Sequence, residues 1–386
     1  MSTARKKILV FAHDATLYGA SQSLLTILTG IKDRYDIFVL LPYPGKIEQV
    51  LTDNRIAYKV ADFPRAIIFK PAVYKIRRRF SDLKAFYRRE SKALVQITQL
   101  VADYNPDLIY TNTSVVTLGY KVAKRFKVPH VWHVREFGWA DYKIIYLPFL
   151  GYIKSAMKSS GKMIFISDAI YKYWFNKGLK NKGVIIPNGV IDATVPAVKD
   201  YPAGDIRVAV LGVVMPGKGQ EVAIRAFAGF VEKFPKGKLY LYGDVMNASY
   251  LEQLKAVCAE LKIEDHVIFK EFETDKEMIY KDINLLLNCS SMEGFGRTIV
   301  EAMGRGIPVI ANNSGGVPEI IDHGVTGLLY QSKSEDLTQK MIELFSDKQL
   351  YSSIAKNAGA KAVDLYSVKN YVDKMERIFS ELINNQ

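Results

Sequence analysis

Asn288-Cys-Ser-Ser-Met-Glu293-Gly-Phe-Gly296 is followed by Glu301 on a helical pattern, by Pro308-Val-Ile310, and by the glycine pair Gly315-Gly316. An apolar strand pattern over 284–287 leads into it. The stretch 288–330 thus holds two carboxylates eight positions apart, with a Gly-Phe-Gly turn between them and a helix that begins where an anion would sit. A helix starting near Phe295 or Thr298 would set the amides of Gly294, Phe295, Gly296 and Arg297 at its N-terminus. There, unpaired N–H donors and the positive end of the helix dipole favour a phosphate. Glycines on both sides of Phe295 let backbone and ligand approach closely. Glu293 precedes the helix and Glu301 lies about two turns into it, so they reach different parts of one extended ligand. An ionised Glu offers only acceptors, which suits hydroxyl pairs. The same spacing also fits a Glu293 that only caps the helix and a Glu301 on a solvated face.

Outward from this stretch the pattern is an alternation of apolar strands and amphipathic helices. In the second half, strands over 207–212, 238–242, 266–269 and 284–287 alternate with helices over 220–234, 249–261 and 274–281, and polar helices follow over 334–345, 350–365 and 367–383. In the first half, strands over 6–13, 36–42, 108–110, 130–133 and 163–166 alternate with helices over 21–31, 47–54, 83–104, 115–126 and 148–159. Between the halves, 192–205 carries Pro196, Pro202 and Gly204 with no period and reads as a linker. Nearly all-apolar strands separated by helices predict parallel sheets covered on both faces, an α/β fold of two doubly wound domains in tandem. In such sheets ligands sit beyond the carboxyl ends of the strands.

A chain of 386 residues exceeds the size at which one core stops growing, which agrees with two domains. Its apolar fraction of 49% with 24% charged residues excludes general disorder. Cys258 and Cys289 are the only cysteines, each in an apolar segment without a metal-ligand companion, and are expected as reduced core residues. No window approaches eighteen uninterrupted apolar residues, so no spanning helix is expected. Charge divides unevenly: residues 1–190 hold 31 Lys and Arg against 13 Asp and Glu (+18), and the rest hold 22 against 27 (−5). The densest basic run has Lys75, Arg77, Arg78, Arg79, Lys84, Arg88 and Arg89 interleaved with Tyr74, Phe80, Phe86 and Tyr87. It suits an anionic bilayer surface, where each Lys or Arg contributes about 1 kcal/mol. A solvated helix face over core aromatics, or a nucleic-acid surface, would carry the same pattern.

Three more loops follow strands. Gly212-Val-Val-Met-Pro216-Gly-Lys218-Gly219 puts a lysine between glycines, placed to neutralise a diphosphate. It lacks the Walker order, and a plain surface turn is its alternative. Tyr18-Gly19-Ala20-Ser21 opens a helix whose N-terminus could admit a ligand. His133, with Arg135 and Glu136 behind it, ends a strand, where a proton donor or hydrogen-bond partner belongs, though a lone histidine is also often structural. No Gly-x-Ser-x-Gly elbow announces a nucleophile.

Together these residues resemble the retaining glycosyltransferases of family 4. Glu293-Gly-Phe-Gly296, Glu301-Ala-Met, Gly306-Ile-Pro-Val-Ile310, Gly315-Gly316 and Glu319 look like that family's signature of two Glu separated by seven residues. The loop from Gly212 to Gly219 is similar to its Gly-Arg-x-x-x-x-Lys-Gly loop, Pro187-Asn-Gly189 to its inter-domain segment, Gly19-Ala20 to its N-terminal loop, and His133 to its active-site histidine. One departure is Val213, where the family usually carries Arg, which removes a bidentate phosphate contact. Arg297 could substitute for it, or could simply be solvated.

The resemblance implies a GT-B fold of two Rossmann-like domains facing across a cleft. Residues 1–190, with a C-terminal helix at about 367–386, would hold the acceptor, and residues 205–366 the nucleotide-diphosphate sugar. It implies that Glu301 holds the ribose hydroxyls and Glu293 those of the donor sugar, with Gly19, Ala20, Gly212 and the amides from Gly294 to Thr298 around the donor. Lys218 would neutralise the leaving diphosphate and His133 would hydrogen-bond the sugar. No metal or other cofactor is required. Base recognition would use backbone groups around Lys270-Glu271-Phe272. The expected activity is transfer of a hexose from a UDP- or GDP-sugar to a lipid-linked or polysaccharide acceptor, by a cytoplasmic enzyme peripheral to the inner face of the membrane. A soluble enzyme with a small acceptor is the alternative. A non-catalytic binding module is less favoured, and a nucleic-acid partner is not expected.

Overall fold

A computed structural model describes residues 5–69, 76–176, 182–192, 197–271, 273, 275–331 and 333–385. Tyr74, Lys75, Pro196 and Phe272, named above, lie outside these. The chain divides into two compact units, residues 1–189 with 368–386, and residues 190–367.

The first unit runs β1 (Lys7–Phe11), α1 (Gly19–Ile31), β2 (Asp36–Leu41), α2 (Ile47–Asp53), β3 (Ala57–Val60), β4 (Ile67–Phe69) and α3 (Ile76–Tyr104). It continues with β5 (Leu108–Asn112), α4 (Leu118–Phe126), β6 (His130–Val134), α5 (Trp139–Tyr142), β7 (Ile144–Tyr146) and α6 (Leu150–Ser159). β8 (Lys162–Phe165), α7 (Asp168–Phe175) and β9 (Gly183–Ile185) complete its contiguous part. Seven strands pair in parallel in the order β3-β2-β1-β5-β6-β8-β9, while β4 and β7 form a separate antiparallel pair. The central strands are buried on both faces, every residue of β5 and β6 included, which is why they lack a period-two alternation.

In the second unit the order is β10 (Arg207–Leu211), α8 (Gln220–Lys233), β11 (Lys238–Tyr242), α9 (Ala248–Glu260), β12 (Val267–Lys270), α10 (Lys276–Asp282) and β13 (Leu285–Asn288). Then come α11 (Arg297–Met303), β14 (Val309–Asn312), α12 (Val317–Ile320), β15 (Leu328–Tyr330), α13 (Ser334–Ser346) and α14 (Lys348–Leu365). Its six strands pair in parallel as β12-β11-β10-β13-β14-β15. The last helix, α15 (Val368–Asn384), returns to the first unit. Its Tyr371, Val372, Met375, Ile378 and Phe379 join the core of Leu24, Ile27, Leu28 and Tyr110. Large apolar side chains buried in this way contribute about 1.5–3 kcal/mol each, so the sheet's own core holds the helix.

Both sheets reverse their winding next to their first strand. The chain builds outward from β1 through β2 and β3 and resumes at β5 on the other side, and likewise from β10 through β11 and β12 to β13. A crevice opens at such a switch point between the two loops that leave in opposite directions. Helix α3 starts at Ile76, seven residues before the predicted start, because the basic run hides its apolar period. Cys258 and Cys289 are free and buried, and no described helix is long and apolar enough to cross a membrane.

Candidate active site

The residues named from sequence fall into one group in each unit. In the second unit the loops after β10 and β13 meet, with the Ser291 amide donating to the Gly217 carbonyl at 3.1 Å. Gly219 closes the first loop at φ +69°, and a Cβ there would lie 2.1 Å from the Cys289 carbonyl oxygen, so only glycine lets the loops touch. This contact brings Lys218 Nζ to 3.1 Å from Glu293 Oε2 and 3.4 Å from Ser290 Oγ. The Glu293 backbone is gripped from the loop after β14. The Gly316 amide donates to its carbonyl at 2.8 Å, and Gly315, at φ +56°, leaves no room for a Cβ beside that oxygen. Burial raises the Glu293 pKa, but Lys218, Ser290 and Asn288 outweigh burial and hold it below the ordinary carboxyl value. Glu293 is therefore an ionised, acceptor-only group beside a fixed ammonium.

Helix α11 begins at Arg297 with Gly296 as its N-cap, so Gly294, Phe295, Gly296 and Thr298 all lie at its start. Phe295 is buried edge-on against Tyr366, with ring centroids 5.6 Å apart. One turn into this helix, Glu301 is only 4% exposed, so the solvated alternative fails for this residue. Its Oε1 accepts from Lys276 Nζ at 2.6 Å and Arg297 Nε at 3.0 Å, and its Oε2 from the Tyr280 hydroxyl at 2.9 Å. Burial again raises its pKa, and Lys276, Arg297 and Tyr280 bring it below the ordinary value. Arg297 is thus not a solvated arginine but an ion-pair partner four residues before Glu301. Sequence reasoning missed Lys276 and Tyr280. Their i, i+4 spacing puts both on one face of α10, and that was the available signal. Gly212 follows β10 directly, and the Val213 carbonyl accepts from Gln220 Nε2 at 2.9 Å.

The first unit holds its group at the β1/β5 switch. Gly19 and Ala20 open α1, and Asn112, at the end of β5, donates from Nδ2 to the Ala20 carbonyl at 3.4 Å and to His13 Nδ1 at 3.2 Å. On neighbouring β6, His133 is fully buried. Its Nδ1 lies 2.8 Å from the Tyr110 hydroxyl and 3.3 Å from Arg135 Nη2, and its Nε2 has no partner among the described residues. Burial, then the Arg135 charge, hold its pKa well below 6.5, so the ring is neutral. Arg135 also donates from Nε to Asn112 Oδ1 at 2.7 Å, from Nη1 to Asn188 Oδ1 at 2.6 Å, and from Nη2 to the Tyr371 hydroxyl at 3.1 Å. Asn112, Asn188 and Tyr371 come from three remote segments; Asn188 lies in the Pro187-Asn-Gly189 stretch named from sequence, and no local motif announced the other two.

Of the basic run, Lys84, Arg88 and Arg89 are exposed on α3 beside Tyr87 and Phe80, the latter 73% exposed, while Phe86 is buried. Arg79 Nη2 donates to the Pro148 carbonyl at 3.2 Å, which sets α3 against the exposed Phe149 and Leu150. Arg77 and Arg78 lie on α3, and Lys75 is outside the described residues. Arg89 pairs with Asp62 at 2.9 Å.

Residues 194–361 match the family described as glycosyl transferases group 1. Mannosylfructose-phosphate synthase of Agrobacterium fabrum is 30% identical over 208 residues, 49% of this chain and 46% of that protein. Alpha-monoglucosyldiacylglycerol synthase of Streptococcus pneumoniae is 26% identical over 322 residues, 74% and 71% of the two chains. The chain therefore spans about half the length of the Agrobacterium relative. Among solved structures, HepE of Anabaena in complex with UDP and glucose superimposes with a TM-score of 0.80 at 23% identity, covering 98% of this chain and all of that one. The chain has the GT-B fold, and its residues 194–361 are similar to the glycosyl transferases group 1 family.

Proposed function

We propose that this chain is a retaining glycosyltransferase of family 4 that moves a hexose from a UDP- or GDP-sugar to a lipid-linked or polysaccharide acceptor. The carrying observation is the Lys218–Glu293 pair at the switch point of the second sheet. A fixed cation beside an acceptor-only carboxylate suits a ligand with a phosphate next to a hydroxyl-bearing sugar. HepE, solved with UDP and glucose, supports the same ligand class. In this reading Glu293 takes the sugar hydroxyls, Glu301 a ribose hydroxyl, and the amides from Gly294 to Thr298 the sugar and diphosphate, with Gly212 beside the donor. The bond from the anomeric carbon to the diphosphate breaks and the acceptor oxygen bonds that carbon from the same face. The acceptor's proton passes to the departing phosphate. Lys218 stabilises the charge that develops there, so neither a metal nor a protein nucleophile is required.

The first unit would hold the acceptor, with His133 as a hydrogen-bond partner of a ligand there. Its exposed Lys84, Arg88 and Arg89 beside Phe80 and Tyr87 suit an anionic leaflet, which would make the enzyme peripheral on the cytoplasmic face of the membrane. The pneumococcal relative, named as synthase of a glucosyldiacylglycerol, favours a lipid acceptor. The Agrobacterium relative, named for a sugar phosphate, favours the second reading, a small soluble acceptor. Thermal melts against UDP-, GDP- and dTDP-sugars test the donor. A binder at a hundred times its Kd adds about 2.7 kcal/mol, and a folded chain that shifts with none of them refutes the reading.

A further inference from the structure

Arg135 is a buried guanidinium whose side-chain hydrogen bonds all go to neutral groups: Asn112, Asn188, Tyr110, Tyr371 and His133. Arginine in proteins stays charged and has no lone pair to offer. The sequence separation of its partners is large, since Asn188 sits at the end of the unit's contiguous part and Tyr371 on the returning α15. A charge held by so many neutral acceptors is fixed in orientation, and that orientation decides the state of the histidine beside it.

Tyr110 alone leaves the tautomer open. Its hydroxyl, 2.8 Å from Nδ1, can donate to an unprotonated Nδ1 or accept from a protonated one while turning its own proton toward Asn112 Oδ1 at 3.4 Å. Arg135 Nη2, 3.3 Å from the same nitrogen, can only donate. A proton on Nδ1 would therefore face another N–H, which disfavours that tautomer and favours the proton on Nε2. That is the atom without a partner among the described residues, and buried donors are rarely left unpaired unless a ligand completes them.

We propose that Arg135 is the positioning residue of His133: anchored by Asn112, Asn188 and Tyr371, it fills Nδ1 with a donor, so that a buried Nε2–H is left for an acceptor oxygen of a ligand bound to the first unit. The hydrogen-bond half of this rests on the reading of His133 given above; the tautomer half does not. It also gives α15 a role at the site, because its Tyr371 hydroxyl is one of the groups that aim the guanidinium. A lysine at 135 could not serve, since one ammonium cannot reach Asn112, Asn188 and Tyr371 and still face Nδ1.

The chain has five histidines, so selective 15N-histidine labelling with long-range proton–nitrogen correlation separates their rings, and His133→Gln assigns the signal. The expected wild-type spectrum has His133 protonated at Nε2 and bare at Nδ1. Arg135→Lys and Tyr371→Phe should each move part of the population to Nδ1–H, and turnover of UDP-glucose, measured as UDP release, should fall in step, by tenfold or more for Arg135→Lys and a few-fold for Tyr371→Phe, with KM within about twofold. Tyr371→Phe loses only a hydroxyl and keeps the test open if the arginine variant does not fold. A wild-type ring protonated at Nδ1, or variants that slow turnover with the tautomer unchanged, would overturn the proposal. Full turnover in His133→Gln would instead overturn the contact between His133 and a ligand, leaving the tautomer result to stand by itself.

Discussion

Glu136 in the first unit and Glu301 in the second are buried to a similar degree, 7% and 4% exposed, yet their acidities move in opposite directions. Burial alone raises both. Glu136 accepts from the Ser114 amide at 2.6 Å and from the Ser114 hydroxyl, with no cationic side chain bonded to it among the described residues, and is pushed up to about 7. Glu301, bonded to Lys276 and Arg297, ends below the ordinary value, as does Glu293 beside Lys218. The partner, rather than the depth, sets the charge. The contrast extends to the cations: Arg135 is held by neutral acceptors, whereas Lys218, Lys276 and Arg297 each face a carboxylate. A ligand with both hydroxyls and phosphates can exchange for such pairs group by group, so the second unit suits the donor and the first keeps a fixed charge.

Breaking the pair in the second unit should have the largest effect. Lys218→Ala leaves Glu293 without its cation and the proposed diphosphate without its neutralising charge, and turnover should fall on the order of 10²–10³-fold. Steady-state kinetics with the nucleotide sugar that gives the thermal shift checks this; a loss below tenfold would return the loop to a structural role. Next in size is the exposed, unbalanced charge of the first unit. Replacing Lys84, Arg88 and Arg89 together by Gln should weaken binding to vesicles containing anionic lipid on the order of a hundredfold, with no change for neutral vesicles. Sedimentation with equal binding by both proteins would end the membrane reading and favour the small-acceptor alternative.

Glu136 gives a smaller effect with a definite sign. Between the ordinary carboxyl value and about pH 7 the unfolded chain has released the proton that folded Glu136 keeps. Raising pH through that window therefore costs stability, on the order of 3 kcal/mol in all. Glu136→Gln should remove this slope, giving a variant near wild type at pH 5 and more stable than it at pH 8 in denaturant melts. Glu293 and Glu301 act in the opposite sense: their lowered pKa values stabilise the fold above the ordinary carboxyl value, and that contribution is lost as pH falls through the folded values. Parallel slopes for wild type and Glu136→Gln from pH 5 to 8 would show that the raised carboxyl is absent.

The α/β class and the alternation of elements were legible because buried parallel strands such as Leu285–Asn288 and His130–Val134 are apolar runs between amphipathic helices. Short strands left no such trace: Ala57–Val60 is a half-exposed edge of four residues, and Ile144–Tyr146 merges into a longer apolar stretch. At the site, Gly219 and Glu293 were visible because a close backbone approach and a pre-helix carboxylate both constrain residue type. Lys276, Tyr280, Asn112 and Tyr371 were not, since their roles depend on which distant segments the sheet order brings together. Arg297 was visible but misjudged: its neighbour sequence could not reveal that Glu301 is buried and needs a second donor.

Arg297→Ala should have the smallest effect. The residue shares Glu301 Oε1 with Lys276, so its loss leaves the carboxylate ionised and bonded to Lys276 and Tyr280. With two donors left on Glu301, donor affinity should change less than about threefold by calorimetric titration. The measurement is sharpest beside Lys218→Ala. Should the two variants lose donor affinity equally, Arg297 must leave Glu301 and reach the diphosphate, standing in for the guanidinium that Val213 lacks. In that event the pairs of the second unit would not be equivalent: Lys276 would stay with Glu301 while Arg297 moved to the donor.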